Sequence, residues 1–383
     1  MAWLEPVSAE LSTDNANGWT ATPAALGKKM RYDFIPLEAV PYIRLAKRVL
    51  LGPGSLAHAA HYHDILHPEV TAANRDTIFL PGQLDRVTGT STETTLQREI
   101  ESVTSSTAVH AATIAFHVKN ATLVDGSIYA GRYRHMLREN RPFDVKAKTC
   151  HHLKKAALVS SYYGIRYFAH WLSDDCSLYP LAKEFGTPLC LRTCYPHQEK
   201  YQDYFGMDCA AIDRAHIDHL VIFQDFAQNS LKRTRYETLR AQIQSHFPRT
   251  RRDLLVYLKR GQTGFPRLIQ NEGEILEELV NRGFVVVDVG SDPLESILGT
   301  LVNAHLVISM EGSHIAHCNF AIPSGAGILT LQPSDRFIGV DRGRCECLGI
   351  RFGFVVGMRR DSGYYFSCSE ILRTTELILS ALG

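Results

Sequence analysis

Residues 305–333 read HLVISMEGSHIAHCNFAIPSGAGILTLQP, which predicts a strand, a helix start and a second strand in close succession. His305 to Ser309 is a short apolar run of the length that a buried parallel strand needs. Ser313 can cap the helix that follows, and Gly312 lets a ligand come close to the backbone. The free backbone N–H groups of such a helix start can hold an anion such as a diphosphate.

The same stretch continues with His314, with Phe320 six residues later, with Pro-x-Gly at 323–325 and with an apolar strand closed by Gln332-Pro333. This pattern resembles the donor-binding core of glycosyltransferase family 61. Two upstream motifs, in the order that the family has them, extend the resemblance.

The second motif is His170-Trp171-Leu172-Ser173-Asp174, and it is similar to the His-Trp-Leu and acidic residue of family 61. On a helix, His170 and Asp174 are four residues apart, so both side chains can project from one face into a cleft. The family usually has Asn three residues before this His, whereas this chain has Tyr167. The alternative interpretation is a surface carboxylate at Asp174 that pairs with His170.

The third motif follows a buried strand predicted at Leu254–Leu258, where Arg260, Arg267 and Asn271-Glu272 match the arginines and the Asn-Glu of the family. Ligands of open α/β sheets bind at the carboxyl ends of strands, and guanidinium groups there suit phosphate oxygens. Asn271 and Glu274 also form a helix-capping pattern, so capping and ligand binding explain Asn271 equally well.

The fold class predicted from alternating strands and helices is α/β. The resemblance covers about residues 156–333 and implies two Rossmann-like domains that face each other across a cleft, the GT-B architecture. We predict an N-terminal acceptor-side domain at 1–247, with irregular and β-rich pieces in 1–150, and a nucleotide-sugar-binding domain at 248–365. We expect residues 366–383 to form a C-terminal helix that packs back on the N-terminal domain.

Family 61 members are inverting glycosyltransferases that use nucleotide sugars, and the resemblance implies a role for each matching residue. Asp174 is the candidate base, and His170 orients it or replaces it. The remaining candidates bind the donor: Arg260, Arg267, Asn271, Glu311, Gly312, Ser313 and His314. Glu311 is expected to bond a ribose or sugar hydroxyl, or to pair with Arg260. No Asp-x-Asp motif occurs in the sequence, so we expect metal-independent transfer with no cofactor besides the nucleotide sugar as co-substrate.

Composition restricts the partners. The 383 residues are 45% hydrophobic and 21% charged, which is typical of soluble globular proteins, and a net charge of +1 gives no reason to expect nucleic acid binding. No apolar run approaches the length of a membrane span, so we expect a cytoplasmic protein. Residues 132–155 contain eight Lys or Arg against two acids. They are a solvated basic loop, or a patch for an anionic lipid-linked acceptor or for peripheral membrane contact.

The sequence HAAHYHDILH places His58 and His61 three residues apart and His63 and His67 four apart. On a helix this spacing puts each pair on one face, either as a metal site or as ordinary histidines.

The predicted function is transfer of a sugar from a UDP-linked donor to a hydroxyl of a glycan or lipid-linked saccharide. The alternatives are a sugar-nucleotide epimerase of the same fold and a non-catalytic module that binds glycans or nucleotides.

Overall fold

A computed structural model describes residues 52–139, 151–261 and 267–383, together with helical positions 43, 46, 49 and 50. Arg141, Lys146 and Lys148 of the basic run lie outside the described residues. The structure confirms the α/β class, because strands and helices alternate along most of the described chain.

The first sheet is mixed. Within the described residues it orders eight strands as β6-β5-β4-β10-β7-β8-β9, with β1 also paired to β4. β10 is antiparallel to β4 but parallel to β7, so only one half of this sheet has the predicted parallel character. The strands are β1 (Ala60–His67), β4 (Thr113–Val124), β5 (Ser127–Ala130), β6 (Tyr133–Met136), β7 (His151–Leu158), β8 (Thr187–Cys190), β9 (Ala210–Ala211) and β10 (Arg214–Gln224), and β2 (Val70–Ala73) and β3 (Thr107–His110) form a separate ribbon.

The second sheet is parallel except for its last strand, β16, and the strand order of this sheet locates the candidate site. Among the described residues the order is β12-β11-β13-β14-β15-β16. Its strands are β11 (Leu254–Lys259), β12 (Val285–Asp288), β13 (Ala304–Met310), β14 (Gly327–Pro333), β15 (Arg351–Arg360) and β16 (Gly363–Tyr365). The chain winds outward from β11 in both directions, so the topological switch point lies between β11 and β13. Doubly wound sheets bind ligands outside the carboxyl ends of the strands at this point.

The helices connect the strands, and their apolar faces form a continuous core with the second sheet. They are α1 (Leu56–Ala59), α2 (Leu96–Thr104), α3 (Tyr162–Arg166), α4 (Phe168–His170), α5 (Cys176–Phe185), α6 (Gln198–Tyr204), α7 (Ser230–His246), α8 (Glu272–Val280), α9 (Leu294–Leu301), α10 (Ala316–Ala321), α11 (Val340–Leu348) and α12 (Cys368–Leu382). A π-helical turn, Trp171–Asp175, joins α4 to α5, and a 3₁₀ turn, Ser313–Ile315, precedes α10. The core includes Trp171, Tyr236, Phe320 and Phe354.

The C-terminal helix packs on the second sheet, which differs from the expectation that it would return to the N-terminal domain. Ile371 and Ile378 of α12 are buried in one cluster with Leu329 and Val355 of β14 and β15. The physical reason is that α12 directly follows β16 in the sequence, so its apolar face lies next to the apolar face of the second sheet. The boundaries at 247/248 and 365/366, and the GT-B arrangement, remain predictions.

The histidine-rich stretch forms a strand, so the helical interpretation was wrong for most of it. His61, His63 and His67 lie in β1, which pairs with β4, whereas His58 is in the short helix α1. Alternation every second residue fits this sequence as well as helical spacing does, and the pairing with β4 decides between the two patterns.

Candidate active site

The acidic motif lies on a helix with a π-helical turn, as Asp174 falls within Trp171–Asp175. π turns often occur at functional sites. The predicted pair forms: His170 Nδ1 and Asp174 Oδ2 are 2.7 Å apart. About a quarter of each side chain is exposed, 28% for His170 and 25% for Asp174. Both groups can therefore be reached from solvent while protein surrounds them on most sides.

Two buried cations hold Asp174. Lys232 Nζ donates to Asp174 Oδ1 at 3.0 Å, and Arg344 Nη2 donates to Asp174 Oδ2 at 3.4 Å. Burial works against ionisation of Asp174, but Lys232, the hydrogen bond from His170 and Arg344 outweigh it and hold the pKa of this carboxyl well below its usual range. Asp174 is therefore an anion at neutral pH and a weak acceptor of protons.

The contacts of His170 define which ring nitrogen can react. The short contact to the carboxylate places the proton on Nδ1, because an anionic oxygen only accepts. Arg344 Nη2 is farther from the same nitrogen, at 3.3 Å, and Nδ1 cannot also accept from it once protonated. In the neutral form of the ring the lone pair is then on Nε2, and a neutral imidazole held by a carboxylate is a suitable general base.

Asp175, the neighbouring carboxyl, has a structural role. It accepts from the backbone N–H of Ser161 at 3.1 Å and from the Ser161 hydroxyl at 2.7 Å. Burial raises the pKa of Asp175 well above its usual range. It packs so closely on Gly164 that a Cβ there would lie 2.1 Å from the carboxylate. Asp175 thus fixes the start of α3.

The arginines of the third motif meet at the switch point of the second sheet. Arg260 Nη1 and Arg267 Nη1 donate to the backbone carbonyl of Glu311, at 2.9 and 3.0 Å. The Glu311 carboxylate pairs with Arg267, with Nη2 and Oε2 3.0 Å apart. The two expected roles of Glu311, a bond to a ribose or sugar hydroxyl and a pair with Arg260, stay predictions. Burial, with the neighbouring Arg267 charge, lowers the pKa of Arg260 to about 10.

Position 312 requires glycine because two arginine side chains lie very close to its backbone. A Cβ at this position would lie 2.5 Å from Arg260 Nη1 and 3.1 Å from Arg267 Nη1. The two guanidinium groups therefore rest directly on the backbone that follows β13. Any side chain at position 312 would displace them. The predicted close approach of a ligand to Gly312 stays a prediction.

Ser313 does not cap the following helix, so that prediction was wrong. Gly312 occupies the capping position, the 3₁₀ turn begins at Ser313 itself, and no side-chain cap is formed. His314 Nε2 contacts the Ser309 hydroxyl at 2.7 Å. Burial, together with the Arg260 charge, holds the pKa of His314 well below its usual range, so the ring is neutral.

The nitrogen and the oxygen of the Asn271 side-chain amide both form hydrogen bonds to the backbone of Phe366. Its Nδ2 donates to the Phe366 carbonyl at 2.8 Å, and its Oδ1 accepts from the Phe366 N–H at 3.2 Å. The side chain makes no capping bond to α8. It therefore joins α8 to the segment before α12, and its Nδ2 also donates to Glu274 Oε2 at 3.4 Å. The ligand-binding role of Asn271 stays a prediction.

Asp341 interacts electrostatically with residues of two groups, the one around Asp174 and the one around Glu311. Its Oδ1 lies 3.5 Å from Arg344 Nη1. Burial raises its pKa, and Arg344, His170 and Arg267 oppose that rise. The helix Phe168–His170 packs against the 3₁₀ turn Ser313–Ile315, so the His170–Asp174 pair and the arginines around Glu311 lie in one region of the molecule.

Sequence reasoning missed Lys232, Arg344 and Asp341. Asp225, which accepts from Arg235 at 2.7 Å and lies 3.8 Å from Lys232 Nζ, was also missed. It directly follows β10, so the rule that ligands gather at the carboxyl ends of strands could have found it.

In the described part of the chain, no three His, Cys, Asp or Glu side chains are grouped so that they could hold a metal ion. Within these same ranges, no helix is both long and apolar enough to cross a membrane.

Comparison with known proteins agrees with the motifs. The family model of glycosyltransferase 61 matches residues 168–329, which include the His170–Asp174 pair and the switch point. Over these residues, the match supports the family predicted from the sequence, glycosyltransferase family 61.

The other comparisons add little. A search of curated proteins gave no match. The solved structure of a mutant flavo di-iron protein from Thermotoga maritima aligns with 9% identity and a TM-score of 0.28. The alignment covers 71% of this chain and 65% of that chain, which is less than two thirds of the length of the other protein.

Proposed function

We propose that this protein transfers a sugar, with inversion, from a UDP-linked donor to a hydroxyl of a glycan or lipid-linked saccharide. The observation that supports this most is the packing of the helix that carries His170, whose imidazole is held by a carboxylate, against the turn that follows the arginine cluster at the sheet switch point. Transfer needs a proton acceptor and a site that stabilises a departing diphosphate, and these groups are suited to the two tasks.

In the proposed step, the acceptor hydroxyl gives its proton to His170 Nε2 while its oxygen bonds to the anomeric carbon. The bond between that carbon and the diphosphate oxygen breaks, and the electron pair leaves with the nucleoside diphosphate. Asp174 stays ionised and stabilises the imidazolium that forms. This assigns the proton to His170 and gives Asp174, first predicted as the base, the orienting role.

Arg260 and Arg267 are proposed to bind the diphosphate. Arg267 Nε is buried and has no hydrogen-bond partner among the described residues, so the guanidinium can still donate to an oxygen ligand. The carboxylate of Glu311 now lies beside Arg267, and a phosphate that binds there competes with it. We propose that Glu311 occupies Arg267 until the donor binds.

The test is turnover of UDP-sugar donors, measured as release of UDP with and without saccharide acceptors, in the presence of EDTA. We expect release that depends on an acceptor and survives the chelator. Conversion of the donor sugar without an acceptor would favour the epimerase. Binding of UDP without any conversion, across donors and acceptors, would favour the non-catalytic module. Loss of turnover in EDTA that Mn²⁺ restores would contradict the metal-independent mechanism.

A further inference from the structure

A groove of about 750 Å³ lies beside the candidate active site. Its walls are the β2–β3 ribbon, α2, the start of α7 and one face of α11. This volume is in the range of pockets that hold small molecules. Nothing in the proposed reaction uses this groove.

The groove and the active site lie on opposite sides of the same two helices. On α7, Ser230 and Arg233 line the groove, whereas Lys232 reaches Asp174. On α11, Gly343 lines the groove, whereas Arg344 reaches Asp174. A ligand in the groove would therefore not contact the His170–Asp174 pair.

The start of α7 gives the groove a positive wall. This helix has 17 residues, its first turn contains no acid, and Asn229 caps it by accepting from the Lys232 N–H. Three arginines line the groove against two acids. Of these residues, Glu346 is paired with Arg75 at 3.1 Å and Arg233 with Glu237 at 2.8 Å. The arginines are Arg98, Arg233 and Arg342. Positive helix ends and guanidinium groups both attract anions.

Two lining residues carry buried polar atoms without a partner among the described residues, Arg342 Nε and Gln228 Oε1. Arg342 is 6% exposed, and its two Nη atoms donate to backbone carbonyls, which leaves the Nε–H directed to no acceptor in the described part of the chain. Gln228 Oε1 needs a donor. Buried polar groups are normally bonded, so this wall of the groove leaves one donor and one acceptor unsatisfied among the described residues.

We propose that the groove binds a saccharide that carries a phosphate or carboxylate group. The anion is held by the start of α7, Arg233 and Arg342, and a sugar hydroxyl donates to Gln228. This inference does not depend on the proposed transfer reaction, since the groove shares no lining residue with the switch-point cluster.

The experiment is calorimetry at constant ionic strength with four probes: glucose 1-phosphate, inorganic phosphate, glucuronate and glucose. We expect glucose 1-phosphate or glucuronate to bind more tightly than phosphate or glucose, and the comparison of these two anions tells phosphate from carboxylate. Arg233→Gln should weaken the anionic sugar about tenfold or more, as a charge-assisted hydrogen bond is lost. Gln228→Ala should weaken the anionic sugar but not inorganic phosphate.

Arg282→Gln is the matched control. Arg282 pairs with Glu278 four residues away at 2.6 Å, and Arg233 pairs with Glu237 at the same spacing at 2.8 Å, with all four side chains about half exposed. The control removes the same charge and the same kind of ion pair, so it should leave binding unchanged.

Several results would overturn the proposal. One is that neither anionic sugar binds to the wild-type protein. Another is that Arg233→Gln and Arg282→Gln weaken the binding of the anionic sugar equally. A third is that glucose and glucose 1-phosphate bind with equal affinity. Loss of UDP affinity in Arg233→Gln would also overturn it, because the groove would then be part of the donor site. Arg260→Ala should leave probe binding intact, which separates failure of this proposal from failure of the proposed donor site.

Discussion

The His170–Asp174 pair should act as one catalytic unit, and a double-mutant cycle measures this. General base catalysis contributes roughly 10² to 10⁴ in rate, or about 2.7 to 5.5 kcal/mol of barrier. We expect His170→Ala to lose this factor in kcat. Asp174→Asn should lose a similar factor, because an amide can no longer stabilise the imidazolium. The kcat of the double variant should lie within a few fold of the kcat of His170→Ala.

The structure also gives the expected cost in stability. Asp174→Asn removes one partner of a buried ion pair, which typically costs about 3–5 kcal/mol. The loss here should be smaller, about 2 kcal/mol, because Asp174 is partly exposed and Lys232 keeps the Asp225 carbonyl at 2.9 Å. For a chain of this size that lowers Tm by about 2–3 °C, so rates should be measured well below the transition.

The assay is initial-rate release of UDP with a saturating donor and acceptor, with UDP affinity by calorimetry as the control for an intact donor site. Asp175→Asn is the matched variant: it neutralises the adjacent carboxyl, which bonds Ser161, and should change kcat by no more than a few fold. Near wild-type turnover of Asp174→Asn, or single losses that multiply in the double variant, would refute the assignment of these residues as a unit.

The charges of the two clusters and of the basic run lead to three further predictions. Arg260→Ala should weaken UDP binding by about 1.5–3 kcal/mol, the value of a charge-assisted hydrogen bond, and unchanged calorimetric affinity would remove Arg260 from the donor site. The lowered pKa of Asp174 means that its contribution to folding is complete above the unfolded-state value near 4 and is lost as pH falls below it. The difference in unfolding free energy between wild type and Asp174→Asn should therefore shrink in acid, and a constant difference would contradict the ion-pair assignment. The run 132–155 should bind anionic liposomes with an affinity that falls steeply as salt rises, whereas absent or salt-independent sedimentation with liposomes would favour a solvated loop.

The second sheet could be predicted from the sequence because each of its central strands is a short apolar run with clear ends. The expected strands at 254–258, 305–309 and 328–331 are β11, β13 and β14 with slightly extended ends. The mixed first sheet could not be predicted in the same way. Whether β4 runs parallel or antiparallel to β10 depends on pairing between segments about a hundred residues apart, as in Phe116 with Ile222, and no local pattern encodes that direction.

In the candidate site, likewise, contacts between residues close in the sequence could be predicted and contacts between distant residues could not. His170 and Asp174 could be paired from the sequence because they are four residues apart on a helix. Lys232 and Arg344 are 58 and 170 residues from Asp174 along the chain. The helix that contains Lys232 is rich in charged residues, and only tertiary packing shows that this ammonium is buried.

The π-helical turn at Trp171–Asp175 fixes the length of its segment. A π turn places an additional residue in the helix, and one residue corresponds to about 100° of rotation. Deleting one residue here would restore regular α-helix but rotate His170 and Asp174 away from the buried face of α5, which includes Cys176 and Tyr179. Either the His170–Asp174 pair or the buried side chains of α5 would then point in the wrong direction. The rotation per residue of the helix thus sets the spacing between the His170–Asp174 pair and the buried face of α5. Insertions or deletions here should be selected against more strongly than most substitutions.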